Sequence, residues 1–238
     1  MKPPLLSEAR AAGLVYLIVV LSGILTLAYV PSQLIEPKDA AQTVENIRAS
    51  EPLFRAGILA GFICFTAFLA LPLVLYRLLG HFNRTAGVLM VAFAVVSVPI
   101  SLANMSHKLD VLILLGDEAF LGVLGPDQLN AAVMLSFAQY NRGLLASALF
   151  WGLWLFPLGY LILKSGALPR VLGVLLIAGC FGYLVQVFGA ILFASYADTI
   201  IARYATLPAS LGEIGTCLWL LIMGAKVGPG ERTEPTKV

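Results

Sequence analysis

Residues 143–195 read GLLASALFWGLWLFPLGYLIL, then KSGALPR, then VLGVLLIAGCFGYLVQVFGAILFAS. The long stretches, 143–163 and 171–195, contain no Asp, Glu, Lys or Arg. A helix needs about 20 apolar residues to cross a bilayer, so each stretch predicts one membrane span. The short link contains Lys164 and Arg170 and no acid. Because basic residues favour cytoplasmic loops, it predicts a tight hairpin on the cytoplasmic side.

The rest of the chain repeats this pattern. It has 238 residues, of which 60% are hydrophobic and 12% charged, which is about half the charged fraction of a soluble domain. Four more apolar runs qualify as spans: 11–30, 54–76, 85–105 and 207–223. The runs are too long for barrel strands, and backbone groups in lipid must bond internally. The sequence therefore predicts an all-α, polytopic membrane protein with a six-transmembrane-helix bundle.

The predicted boundaries follow from the same runs. Residues 1–226 are interpreted as a single transmembrane domain and 227–238 as a disordered cytoplasmic tail, since the tail is polar and rich in Gly and Pro. The first run is too long for the apolar part of a secretory signal, and no small-x-small cleavage site follows it. It is interpreted as a retained first span.

Charges between the runs alternate in sign from one gap to the next. One set of gaps holds nine basic and three acidic residues, and the other holds six basic and ten acidic. By the positive-inside rule, both termini are predicted to be cytoplasmic, in a plasma or inner membrane. Of the fifteen Lys and Arg residues, fourteen lie outside the runs or at their edges, and Arg55 lies one residue inside.

Two long gaps on the predicted outer side indicate a small helical extracytoplasmic cap. Asp39 followed by Gln42 has the spacing of a capping box, and predicts a helix to about Ala49 with Ala41, Val44 and Ile47 on one face. In the second gap, the short apolar stretch 109–115 is expected to extend the third helix. Gly-Pro-Asp at 125–127 is expected to begin a helix that continues into the fourth span.

Polar residues inside a bilayer are costly, so they are the first place to look for a functional site. Ser97, Ser101, Asn104 and Lys108 form a polar stripe on the third span at helical spacing. The sequence predicts a ligand-binding or structural polar cluster in the outer half, formed by Arg55, Asn104, His107, Asp110, Arg142, Gln186 and Glu213.

Glu213 is the most unusual member because apolar residues surround it in the sequence. One interpretation is a structural ion pair with Arg55 or Arg142. A second is a carboxylate in an outward-facing polar cavity that binds a ligand or a proton. A third is a lone, protonated carboxyl group.

Several classes of chemistry find no support in the sequence. The three cysteines lie inside apolar runs without a Cys-x-x-Cys pair, which argues against thiol redox chemistry and a disulfide framework. His107 and Asp110 have the spacing of a metal half-site, but there is no second nearby His. A net charge of +2 indicates no nucleic-acid partner. No catalytic residue, metal or cofactor is predicted.

Motifs along most of the chain resemble a known family. They include RAAGLVY at 10–16, PKDAAQT at 37–43, LFR at 53–55, the stretch from Leu158 to Leu176, and Glu213 followed by LWLL at 218–221. Residues 8–224 resemble the bacterial membrane family known as domain of unknown function 4386. That family usually has Gly where this chain has Lys38, and often an Arg in the third span that this chain lacks. The resemblance implies a six-helix bacterial membrane protein with no assigned activity, and a common outer-side site that includes Asp39, Arg55 and Glu213.

Three functions are compatible with these features. The first is a small transporter or ligand-binding protein whose outward-facing cavity is lined by Arg55, Asn104, Arg142, Gln186 and Glu213. The second is a structural, sensory or partner-binding protein that acts through its cap. The third, less favoured, is a membrane enzyme that uses His107, Asp110 or Glu213 on a lipid-like substrate. The expected partners are the lipid bilayer and a small-molecule or lipid ligand.

Overall fold

The computed structural model describes residues 5–116, 122 and 124–225. The predicted tail at 227–238 and the acidic residues Asp117 and Glu118 lie outside the described residues. The helices, in chain order, are α1 Leu5–Ile24, α2 Val30–Leu34, α3 Ala40–Ala49, α4 Glu51–Leu79, α5 Arg84–Asn104, α6 Ser106–Leu115, α7 Pro126–Ser165, α8 Arg170–Leu192, α9 Ile200–Tyr204 and α10 Leu207–Ile222. A π-helical turn, Leu25–Tyr29, joins α1 to α2.

Six helical segments in the described part of the chain are long and apolar enough to cross a membrane. They are Glu8–Leu34, Glu51–Phe82, Arg84–Leu115, Pro126–Ser165, Arg170–Leu192 and Ile200–Ile222. The prediction of an all-α membrane protein with six spanning helices is therefore confirmed. The sixth segment begins before the predicted residue 207 because α9 precedes α10, and the fifth ends at Leu192 rather than at residue 195.

The chain forms two compact units. The first comprises the described residues of Met1–Leu17, Phe68–Val96 and Ala148–Val238, and the second comprises Ile18–Ala67 and Ser97–Ser147. Four helices, α1, α4, α5 and α7, contribute a segment to each unit.

The core of the first unit is built around Trp154, which is almost fully buried. The Phe68 ring meets it edge to face, with ring centroids 5.0 Å apart, and the Tyr16 ring lies 6.3 Å away. Edge-to-face pairs of this kind stabilise a core beyond the burial of their apolar area. Trp154 therefore joins segments of α1, α4 and α7 within this unit.

The link between α7 and α8 is the tight hairpin that its sequence predicts. Gly166 has a φ of 63°, a left-handed conformation that only glycine adopts without cost, and it ends α7. The Ser165 hydroxyl accepts a hydrogen bond from the Ala167 amide at 3.2 Å, and Pro169 is the N-cap residue of α8. Lys164 and Arg170 are exposed at the two ends of this turn.

Helix α3 of the second unit begins where the capping pattern predicts. The Asp39 carboxylate accepts a hydrogen bond from the Gln42 amide at 2.9 Å, and the helix ends at Ala49. Val44 and Ile47 are buried as expected, but Ala41 is exposed and Thr43 takes its place in the buried face. The reason is that the Thr43 hydroxyl donates to the Glu36 carbonyl at 3.1 Å and so draws this side inward.

Both helix predictions for the gap between the third and fourth spans are confirmed. Helix α6 continues the third span to Leu115 after a break at Met105. Helix α7 begins at Pro126 and runs for 40 residues into the fourth span. Proline at the first helical position needs no hydrogen-bond acceptor for its nitrogen, which suits this start.

Candidate functional site

The polar stripe on the third span is buried in the second unit. Ser101, Asn104 and Lys108 all have 6% or less of their surface exposed, and Lys108 has 3%. Lys108 lies on α6, one turn after Asn104 on α5. A buried lysine inside a membrane span is rare, and its contacts indicate the chemistry of the site.

An interruption in the first span supplies an acceptor for Lys108. In the π-helical turn, the Val30 amide bonds to the Leu25 carbonyl, five residues earlier. The residue five after Thr26 is Pro31, which has no N–H. The Thr26 carbonyl therefore has no amide donor in this pattern, and Lys108 Nζ donates to it at 3.0 Å.

The Thr26 side chain adds a second contact. Lys108 Nζ lies 3.2 Å from Thr26 Oγ1, and Thr26 is fully buried. Helix α4 makes room for this contact through Gly61, where an added Cβ would lie 3.0 Å from Thr26 Oγ1 and 2.6 Å from Met105 Cε. Segments from three spans thus meet at one polar point.

Met105 marks the interruption of the third span. Its amide is shared between the carbonyls of Ser101 at 3.2 Å and Leu102 at 3.1 Å, so the turn is tighter than an ideal α-helix. Helix α6 then begins at Ser106, and Lys108 follows within its first turn. Two membrane helices are therefore irregular at the residues next to the buried ammonium.

Helix α7 closes the remaining side of the site. The Tyr140 ring centroid lies 4.4 Å from Lys108 Nζ, which is the geometry of a cation–π contact. Asn104 Nδ2 donates to the Tyr140 carbonyl at 2.8 Å, and the hydroxyls of Ser101 and Ser147 bond at 2.9 Å. The buried Tyr140 hydroxyl has no hydrogen-bond partner among the residues that the structure describes.

The contacts of Lys108 are a carbonyl, a hydroxyl and an aromatic face, all of them neutral. Across residues 5–116, 122 and 124–225, the ion pairs are Arg55 with Glu51 and His107 with Asp110, and neither includes Lys108. Removing an ammonium from water costs several kcal/mol even after relaxation, and a buried charge is normally paired. Among the described residues, the Lys108 ammonium therefore has no anionic partner.

Glu213 lies in the first unit with a different partner from the predicted ones. The Tyr16 hydroxyl of α1 donates to Glu213 Oε1 of α10 at 3.3 Å. One turn later, Cys217 Sγ approaches the Gly13 carbonyl at 3.7 Å. Glu213 is half-buried, and its described contact is a neutral hydroxyl.

The members of the predicted cluster belong to both units, Gln186 and Glu213 to the first and the other five to the second. Arg55 is paired with Glu51 at 2.6 Å and its side chain is 60% exposed, so its acidic partner differs from the predicted Glu213. Arg142 is exposed on α7. His107 Nδ1 and Asp110 Oδ2 lie 3.4 Å apart on α6. Gln186 on α8 is half-buried, and its buried Oε1 has no hydrogen-bond partner within the described ranges.

Sequence reasoning placed Lys108 in the stripe but left it out of the candidate cluster, and it missed Tyr140 and Tyr16. One signal was available for Lys108: it stands four residues after Asn104 on a face that becomes buried. Nothing in the sequence indicates that Tyr140 would lie beneath it. In the part of the chain that the structure describes, no group of three or more His, Cys, Asp or Glu residues is placed to hold a metal ion.

Comparisons with known proteins point to a family without an assigned activity. The sequence model of the family described as domain of unknown function 4386 matches residues 11–224. An uncharacterised protein of the archaeon Archaeoglobus fulgidus is 34% identical over 79 residues, which are 33% of this chain and 44% of that protein. The match thus spans less than half the length of that relative. No solved structure matches the chain.

Proposed function

The chain belongs to the family described as domain of unknown function 4386, and because this description assigns no activity, we propose from the surroundings of Lys108 that the protein is a membrane carrier that binds a small organic acid. The apolar helices indicate a lipid bilayer environment. The observation that carries the proposal is a buried ammonium between two irregular helices, with no anionic partner in the part of the chain that the structure describes.

A carboxylate is the ligand that this charge lacks. Hydrogen bonds between an ammonium and a carboxylate are roughly twice as strong as bonds between neutral groups. A bound acid would replace the Thr26 carbonyl as the partner of Lys108 Nζ, which now lies 3.0 Å from that oxygen. The unpartnered Tyr140 hydroxyl offers a second donor to the same ligand.

The helix irregularities supply a route by which the site could open. Binding sites in membrane carriers are often formed where spanning helices are discontinuous, because such backbone can rearrange without breaking a whole helix. Here the π-helical turn Leu25–Tyr29 and the tight turn at Met105 lie next to Lys108. A ligand that binds the open arrangement more tightly would shift the population toward it.

The proposal includes the orientation that the charge pattern predicts. Both termini are cytoplasmic, α3 lies on the outer side, and the membrane is the plasma or inner membrane. Residues 1–226 form one transmembrane domain with a cytoplasmic tail. The uneven distribution of Lys and Arg supports this arrangement.

Ligand binding at Lys108 can be tested with purified protein in lipid nanodiscs. The probes are lactate and succinate, each compared with its uncharged amide, and the measurement is the shift in melting temperature. We expect the acids, and not the amides, to raise the melting temperature of the wild-type protein. Lys108→Met should abolish this shift, because methionine keeps the bulk of the side chain without the charge.

Arg55→Gln is the matched control, since Arg55 is exposed and its ion-pair partner among the described residues is Glu51. It should respond to the acids as the wild-type protein does. Equal shifts in Lys108→Met and wild type, or no acid-dependent shift in any wild-type sample, would contradict the proposal.

A further inference from the structure

An open apolar groove lies on the first unit, whereas Lys108 belongs to the second. It has a volume of about 340 Å³ and runs between α5, α7 and α8. Its walls include Leu89, Phe93, Phe156, Tyr160, Phe181 and Leu184. The rings of Phe156 and Phe181 meet edge to face with centroids 6.4 Å apart, and so hold one wall in shape.

The groove opens to the side of the helices. Leu89 is 44% exposed, Phe156 46% and Phe181 55%. All three lie on helices that are long and apolar enough to cross a membrane, so the open side faces lipid in a bilayer. An elongated hydrocarbon chain is the occupant whose chemistry matches an apolar groove open to lipid.

One end of the groove is basic. Asn83 Nδ2 lies 3.5 Å from the hydroxyl of Tyr160, and Lys164 Nζ lies 5.8 Å from the centroid of the same ring. Arg84 is the first residue of α5, two positions before Ala86 of the groove wall. Lys164 and Arg84 are both exposed, and the links 77–84 and 164–170 contain no Asp or Glu.

We propose that this groove binds an anionic glycerophospholipid, with one acyl chain along the apolar wall and the phosphate at Lys164 and Arg84. Basic residues at the ends of spanning helices attract acidic headgroups, and their apolar stems let the charges reach the interface. The Asn83 amide and the Tyr160 hydroxyl add polar contacts at the glycerol level. This site is independent of acid binding at Lys108.

The test is lipid binding to delipidated, purified protein, measured by native mass spectrometry. The probes are phosphatidylglycerol and phosphatidylcholine with identical acyl chains. Each basic side chain near the membrane surface raises the affinity for an anionic lipid about fivefold. Arg84 and Lys164 together should therefore favour phosphatidylglycerol over phosphatidylcholine by a factor on the order of 25. The double variant Arg84→Gln, Lys164→Gln should lose this preference, whereas Arg77→Gln, at an exposed position in the last turn of α4, should keep it.

A second pair of variants tests the groove itself. Leu89→Trp places a large ring in the groove and should weaken binding of both lipids. Val88→Trp is the matched control, since Val88 is equally exposed but does not line the groove. Equal binding of the two lipids by the wild-type protein, or an unchanged preference in the double variant, would overturn the proposal. Displacement of the lipid by millimolar glycerol phosphate would also overturn it, since the headgroup alone would then explain binding.

Discussion

Lys108 and Arg55 differ in burial in the opposite sense from their positions in the sequence. Arg55 is the cation that lies inside an apolar run, yet its side chain is 60% exposed beside Glu51. Lys108 stands at the edge of its run, yet is 3% exposed. The difference arises from the neighbours of each side chain in space, since Lys108 Nζ has the Thr26 carbonyl and the Tyr140 ring within reach.

A prediction at this scale concerns Gly61. In Gly61→Ala the new methyl group would lie 2.6 Å from Met105 Cε and 3.0 Å from Thr26 Oγ1, so the buried Met105 side chain or the helix that carries it must shift. We expect the free energy of unfolding in mixed detergent micelles to fall by about 1–3 kcal/mol, the usual cost of overpacking.

Gly23→Ala is the control for the loss of a helical glycine. Its new methyl group meets Cys64 Sγ at 3.5 Å, an ordinary contact. Because alanine favours a helix over glycine, this variant should be unchanged or more stable. A Gly61→Ala protein as stable as Gly23→Ala would show that α4 does not pack against Thr26 and Met105 as described.

At the scale of the element, the first span is the informative one. Its composition predicts one continuous helix, whereas the structure has α1, a π-helical turn and α2. Pro31 sits in the first turn of α2, where its missing N–H leaves the Thr26 carbonyl to Lys108. One proline thus couples the geometry of the first span to a side chain of the third.

This coupling can be measured with a double-mutant cycle. Lys108→Met leaves the Thr26 carbonyl buried without its donor, at a cost of about 1–3 kcal/mol. Pro31→Ala supplies an amide at the position where the donor is missing, so Lys108→Met should cost less in that background. We expect a coupling free energy of about 1 kcal/mol between the two changes, measured by unfolding in mixed micelles.

A second double-mutant cycle, with Pro72→Ala in place of Pro31→Ala, provides the control. Pro72 lies inside α4 and belongs to the other unit, so its effect should add to that of Lys108→Met. Additive effects for Pro31→Ala would contradict the assignment of Lys108 as the donor that replaces the missing amide.

At the scale of the whole molecule, the orientation in the membrane is open to a direct test. The three native cysteines are buried, so new surface cysteines can be labelled over a low background. Arg48→Cys places a thiol on the exposed side of α3, and Arg170→Cys places one at the start of α8. With both termini cytoplasmic, a membrane-impermeant maleimide should label Arg48→Cys in intact cells and leave Arg170→Cys unlabelled.

Lysed cells give the reference for this experiment, since both thiols should react once the membrane is open. The reverse pattern in intact cells would show that the basic hairpin at 164–170 faces outward. It would also place the lipid groove and the cap on the opposite sides from those proposed.

The sequence by itself determined the number of spans, the hairpin between α7 and α8, and the start of α3 at Asp39. Each of these features depends on a short stretch of sequence. They are the length of an apolar run, a glycine that adopts the left-handed conformation, and an N-cap side chain that accepts a hydrogen bond from the amide three residues later. The tertiary structure alone decided that Lys108 is the buried cation, that Tyr16 is the partner of Glu213, and that Phe156 and Phe181 share a groove. Each of these depends on side chains far apart in sequence, because burial and hydrogen bonding are set by which helices pack together.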